Sequence, residues 1–127
     1  MDPTPLPSAV VQFLRDRIDT VPELEALLLA HGNPQTTWRS ETLSGRLYVS
    51  ARETSAILAK LTRLGLLMRV DGDVFQFDAH TPDATVVRQL AESYQKHLSL
   101  IARIIHEKPA LALREFAQAF SVKKREE

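Results

Sequence analysis

The chain has no cysteine, so disulfides and thiolate metal sites are excluded. It carries no net charge, with 16 basic and 16 acidic side chains, and the total argues neither for nor against a nucleic-acid partner. No apolar run approaches the roughly 20 residues that a membrane span needs. The opening MDPTPLPS has no basic region ahead of an apolar block, so no secretory signal is expected. With only four glycines there is no phosphate-binding glycine loop, and no G-x-S-x-G is present. No serine, histidine and acid are spaced as a triad, and His31, His80, His97 and His106 show no paired ligand spacing. The expectation is a cytoplasmic prokaryotic protein that is not an enzyme, with no catalytic residues, no metal and no cofactor.

What is present is enough for one domain, or one domain with an appendage: 127 residues, 44% hydrophobic and 25% charged. The charge is unevenly placed. Residues 1–35 hold two basic and five acidic side chains. Residues 36–70 hold six basic ones (Arg39, Arg46, Arg52, Lys60, Arg63, Arg69) against Glu41 and Glu53. Residues 71–80 hold three aspartates and no base. The middle of the chain is therefore its locally positive part, as phosphate contact requires.

Hydrophobic periodicity and capping residues divide the chain into elements. Ser8 is placed to cap a first helix over about 9–18. Thr20 and Glu23 have the spacing of a capping box and open a second helix to about His31, which Gly32-Asn33-Pro34 ends. Thr36-Thr37-Trp38 is expected as a short strand. A helix over about 41–48, capped by Ser40, turns Leu43 and Leu47 inward, and Gly45 is read as a point of close helix approach. Ser50 and Glu53 form a second capping box, starting a helix at Ala51 with Ile57, Leu58, Leu61 and Leu64 as its buried stripe. Gly65 stops it. In LMRVDGDVFQF, a Gly72-Asp73 loop is expected to pair Val70 with Phe75, Arg69 with Gln76 and Met68 with Phe77. The hairpin tip then carries Asp71 and Asp73.

Two short helices around a tight turn, followed by a hairpin, form a winged helix-turn-helix pattern. On Leu43, Leu47, Val49, Ser50, Ile57, Leu58, Leu61, Leu64, Gly65, Leu66 and the hairpin through Phe77, residues 40–78 resemble the winged-helix transcriptional regulators of bacteria, including MarR-like and PadR-like proteins. The resemblance implies a helix at about 51–64 that enters a DNA major groove, with the wing behind it. Arg52 is then assigned to a base edge or phosphate, Ser55 to base or backbone, and Lys60 to phosphate. Arg39, Arg46 and Arg69 are further candidate DNA contacts. A solvated helix face with ordinary surface charges accounts for the same composition. The acidic hairpin tip departs from wings that grip phosphate.

Beyond the hairpin, Thr81-Pro82 is expected to start one long amphipathic helix reaching Glu107 or Lys108. Val87, Leu90, Tyr94, His97, Ile101 and Ile104 repeat at three- and four-residue spacing, and Leu98 and Ile105 widen the stripe. It reads as a homodimer seam resembling a short coiled coil, or as a face packed on its own domain. His97 in that stripe is either a pH-sensitive seam residue or an ordinary partly exposed histidine. A last short helix places Phe116 and Phe120 on one face, for the partner protomer, the core or another protein. Lys123-Lys124-Arg125 then gives a basic cluster, read as a DNA-backbone arm or a solvated tail.

The expected fold class is mainly α with a small β-hairpin wing, a winged helix-turn-helix plus a long C-terminal helix. Its parts are a winged domain over 8–80, a helical dimerisation or docking segment over 81–120, and a charged tail over 121–127. The function expected is a dimeric regulator bound to double-stranded DNA. The alternative is an adaptor of the same fold that docks a protein through its C-terminal helices and binds no DNA.

Overall fold

The computed structural model describes residues 5–108; Phe116, Phe120 and the basic cluster at 123–125 lie outside them. Among the described residues the chain is mainly helical with one three-stranded antiparallel sheet. The elements are α1 (Ser8–Arg17), α2 (Val21–Gly32), β1 (Thr37–Arg39), α3 (Ser40–Leu47), α4 (Ala51–Arg63), β2 (Leu67–Asp71), β3 (Val74–Phe77), α5 (Ala84–Lys96) and α6 (Leu98–His106).

Local chemistry sets most boundaries. The Thr20 hydroxyl accepts from the Glu23 N–H at 3.2 Å, and the Ser50 hydroxyl from the Glu53 N–H at 3.0 Å, so both N-caps start their helices where expected. The Glu23 carboxylate reaches one residue further back than a standard box and accepts from the Asp19 N–H at 2.8 Å. Gly65, at φ +79°, turns the chain after α4. Two expected caps are displaced by one residue. Pro7 precedes α1 and Arg39 precedes α3, neither with a side-chain cap bond, while Ser8 and Ser40 are already helical. Gly45 is exposed with open space around it, so no close helix approach requires it.

The sheet order is β1-β3-β2. The expected strand before α3 is shifted by one residue, and it pairs Trp38 with Phe75. In the hairpin the Gly72-Asp73 loop forms, but the register differs from the expected one. Leu67 pairs with Phe77, Met68 with Gln76, Arg69 with Phe75, and Asp71 with Val74. A bulge at Val70 takes up the extra residue. Its effect is to bury Leu67 with Phe75 and Phe77, leaving Met68 and Val70 exposed. A one-residue slip exchanges the two faces of a strand, and burial of Leu67 instead of Met68 decides between them.

The core runs from Leu14 and Ile18 through Leu24 and Leu27 to Leu58, Leu61 and Leu66, each no more than 1% exposed. The expected long C-terminal helix is two helices. Thr81 is buried, its hydroxyl accepts from the Asp83 N–H, and helix begins only at Ala84. At His97 the backbone leaves helical geometry (φ −133°, ψ 42°). No proline or glycine forces that break. It lets α6 pack on α1, where Ile101 and Ile105 reach the same core as Val87 and Leu90. These four side chains are at most 2% exposed and pack within their own protomer. Leu98 stays 52% exposed, and Tyr94, His97 and Ile104 are half-buried.

Candidate nucleic-acid interface

Helix α3, the turn Tyr48-Val49-Ser50 and α4 form the helix-turn-helix unit, joined by Leu43, Leu47, Ile57 and Leu58 in the shared core. Thr54 is fully buried and donates through its hydroxyl to the Ser50 carbonyl at 2.9 Å, which fixes the first turn of α4 against the rest. The inward stripe of α4 is thereby defined, and so is its opposite face. Ala51, Arg52, Glu53, Ser55, Ala56 and Arg63 are exposed on it.

Of the expected contact residues, Arg52 and Ser55 lie together on this face. Arg63 belongs with them. It follows Arg52 and Ala56 at helical spacing, a signal present in the sequence that the assignment above did not use. Arg39 is exposed where β1 meets α3, and Arg46 is exposed on the last turn of α3. The Arg46 guanidinium lies 5.8 Å from the ring of Trp38, whose Nε1 is buried with no hydrogen-bond partner among the described residues. Arg39, Arg46, Arg52 and Arg63 have no carboxylate partner among those residues.

Two expected contacts are engaged within the protomer. Lys60 points inward, its Nζ 2.6 Å from Asp19 and 2.7 Å from Glu23, with the side chain 20% exposed. An ammonium held by two carboxylates has little reason to leave them for a phosphate. The partners come from the α1–α2 corner, far away in sequence. Lys108 completes the cluster: it pairs with Asp19 at 3.1 Å and donates to the Leu14 and Ile18 carbonyls at the C-terminal end of α1. A cation there also suits the negative end of that helix. Arg69 folds over its own hairpin, 4.9 Å above the Phe75 ring, and donates to the Gly72 carbonyl at 2.9 Å.

The wing tip is tied down as well. Asp73 accepts from the Ser40 hydroxyl at 3.1 Å, so a carboxylate rests at the start of α3. At the other end of α3, Tyr48 has left-handed backbone (φ 59°, ψ 35°) and is the one non-glycine residue with positive φ among those described. Holding a tyrosine there costs about 1 kcal/mol relative to glycine. Its side chain is 91% exposed and forms one wall of an open hollow of about 350 Å³, with Glu25, Leu28, Leu29, Arg46 and Tyr94. Within the hollow the Tyr94 hydroxyl donates to Glu25 at 3.4 Å. Burial first, and then the Glu25 carboxylate, raise the Tyr94 phenol above its ordinary pKa.

Among the described residues no group of three or more histidines or acids is placed to hold a metal ion, and no helix is long and apolar enough to cross a membrane. No protein-family model matches the chain, and no curated protein is similar to it. Solved structures are similar at low identity. RV1404 from Mycobacterium tuberculosis matches over 90% of this chain and 80% of its own, with 22% identity and a TM-score of 0.52. A mutant of ZitR from Lactococcus lactis in apo form matches over 94% of this chain and 89% of its own, with 14% identity and a TM-score of 0.49. The RV1404 likeness is one of fold, and it extends across both the helix-turn-helix unit and the helices around it.

Proposed function

We propose that this chain is a DNA-binding transcriptional regulator that places α4 in the major groove. The observation that carries the reading is the outward face of α4, where Arg52 and Arg63 flank Ser55 and small alanines with no carboxylate partner. Small side chains let a helix approach base edges, and an arginine at its N-terminal end can reach guanine or phosphate. Arg46 and Arg39, exposed on the preceding elements, are suited to the flanking backbone. The wing contributes little charge, because its tip is acidic and Arg69 is turned onto it.

A homodimer would bring two such helices to successive grooves on a near-palindromic site. Its seam would use Tyr94, His97, Leu98 and Ile104, with Phe116 and Phe120 from beyond the described residues. A second reading, protein docking without DNA, is supported by the hollow beside Tyr48, whose lining includes Tyr48, Tyr94 and Arg46, residue types enriched in binding hot spots.

The test is anisotropy of a labelled mixed-sequence duplex at two salt concentrations. Binding should fall steeply with salt. Arg52→Ala should weaken it about tenfold while unfolding at the same denaturant concentration as wild type. Folded wild-type protein that ignores duplex at low salt would leave the docking reading in its place.

A further inference from the structure

We infer that Tyr48 is a DNA-backbone contact of the helix-turn-helix turn, acting with Arg46; the inference rests on the DNA-binding reading above. The first observation is conformational. The first residue of the turn between α3 and α4 has positive φ, which glycine adopts freely and tyrosine under strain. The second is exposure. Strained residues are retained where surrounding packing or function holds them, and a side chain 91% exposed is not held by packing. Among the described residues its phenol has no hydrogen-bond partner. Folding therefore gives no account of a tyrosine at this place.

The third observation is position. Tyr48 stands two residues before the cap of α4 and lines the same hollow as Arg46, so the two residues share one small surface next to the helix proposed to read bases. The chemistry of that pair fits a phosphodiester. Arginine supplies charge and a tyrosine hydroxyl donates one directed hydrogen bond, both common in contacts that set a protein's register on duplex DNA. Glu25 also lines the hollow, where it accepts from the Tyr94 hydroxyl at 3.4 Å. Ligand contact at this turn explains the strain, because the geometry that aims the phenol outward is the same one that costs stability.

The experiment compares Tyr48→Gly, Tyr48→Phe and Arg52→Ala with wild type by urea denaturation and by duplex anisotropy at low salt. Tyr48→Gly should unfold at higher urea and yet bind about tenfold more weakly, and Tyr48→Phe should lose a similar factor with unchanged stability. A merely structural residue would move stability and binding in the same direction. Wild-type affinity in both Tyr48 variants, alongside weaker binding by Arg52→Ala, would overturn the inference and leave DNA binding standing. Absence of duplex binding by the folded wild type would overturn both.

Discussion

Lys60 and Arg52 lie on one helix and carry the same charge, but their surroundings give them opposite uses. Arg52 is exposed with no carboxylate partner among the described residues, and Lys60 is shared by Asp19 and Glu23. Removing the ammonium would leave two carboxylates close together, with Lys108 holding only one of them. Lys60→Ala is therefore expected to cost about 1–3 kcal/mol in urea denaturation, while duplex affinity of the folded variant stays within about twofold of wild type. Weaker DNA binding at unchanged stability would return Lys60 to the list of phosphate contacts. The sequence does not reveal this role, because the acids that claim Lys60 lie on the α1–α2 corner and spacing along α4 says nothing about them. Arg63 is the converse case. Its place on the stripe with Arg52 and Ala56 follows from helical periodicity alone.

At the scale of elements, what was legible is what is local. The N-caps Thr20 and Ser50 start α2 and α4 because each cap bonds a residue three positions on, and Gly65 ends α4 through its own backbone freedom. The bulge at Val70 and the break at His97 were not legible, since each is decided by which side chain reaches the core. Leu67 is buried in place of Met68, and Ile101 and Ile105 reach α1 only once the helix has turned. The two faces of α6 should then respond differently. Ile101→Ala is expected to cost about 2–4 kcal/mol, measured by denaturation. Leu98→Glu should leave stability within about 0.5 kcal/mol and lower the mass seen in sedimentation, if this face meets a second protomer. An unchanged mass for a wild-type dimer would move the seam elsewhere.

Across the whole molecule, charged and polar contacts tie together segments that are remote in sequence. Arg17 holds Asp83 at 3.2 Å, Lys60 and Lys108 meet at Asp19, and Tyr94 joins α5 to Glu25 of α2. Tyr94, whose phenol pKa is raised first by burial and then by the Glu25 carboxylate, gives the fold a dependence on alkaline pH. Folding raises the Tyr94 phenol from its ordinary 10.0, so the folded chain keeps that proton where the unfolded chain loses it. The contribution to stability is fully present below pH 10.0 and is lost as pH rises through the folded-state value. Urea midpoints measured upward from that pH should fall more steeply for wild type than for Tyr94→Phe; parallel curves would remove Tyr94 as the cause.

The sole tryptophan gives this molecule a built-in optical gauge. Trp38 is 6% exposed, sits in the sheet opposite Phe75, and has the Arg46 guanidinium as a near charge above its ring. Its emission therefore originates from one largely buried location, and its colour is set in part by the electric field of a single exposed cation. A polyanion that draws Arg46 away changes that field without touching the indole, so occupancy of the candidate surface can be followed in unlabelled protein by the wavelength of its light.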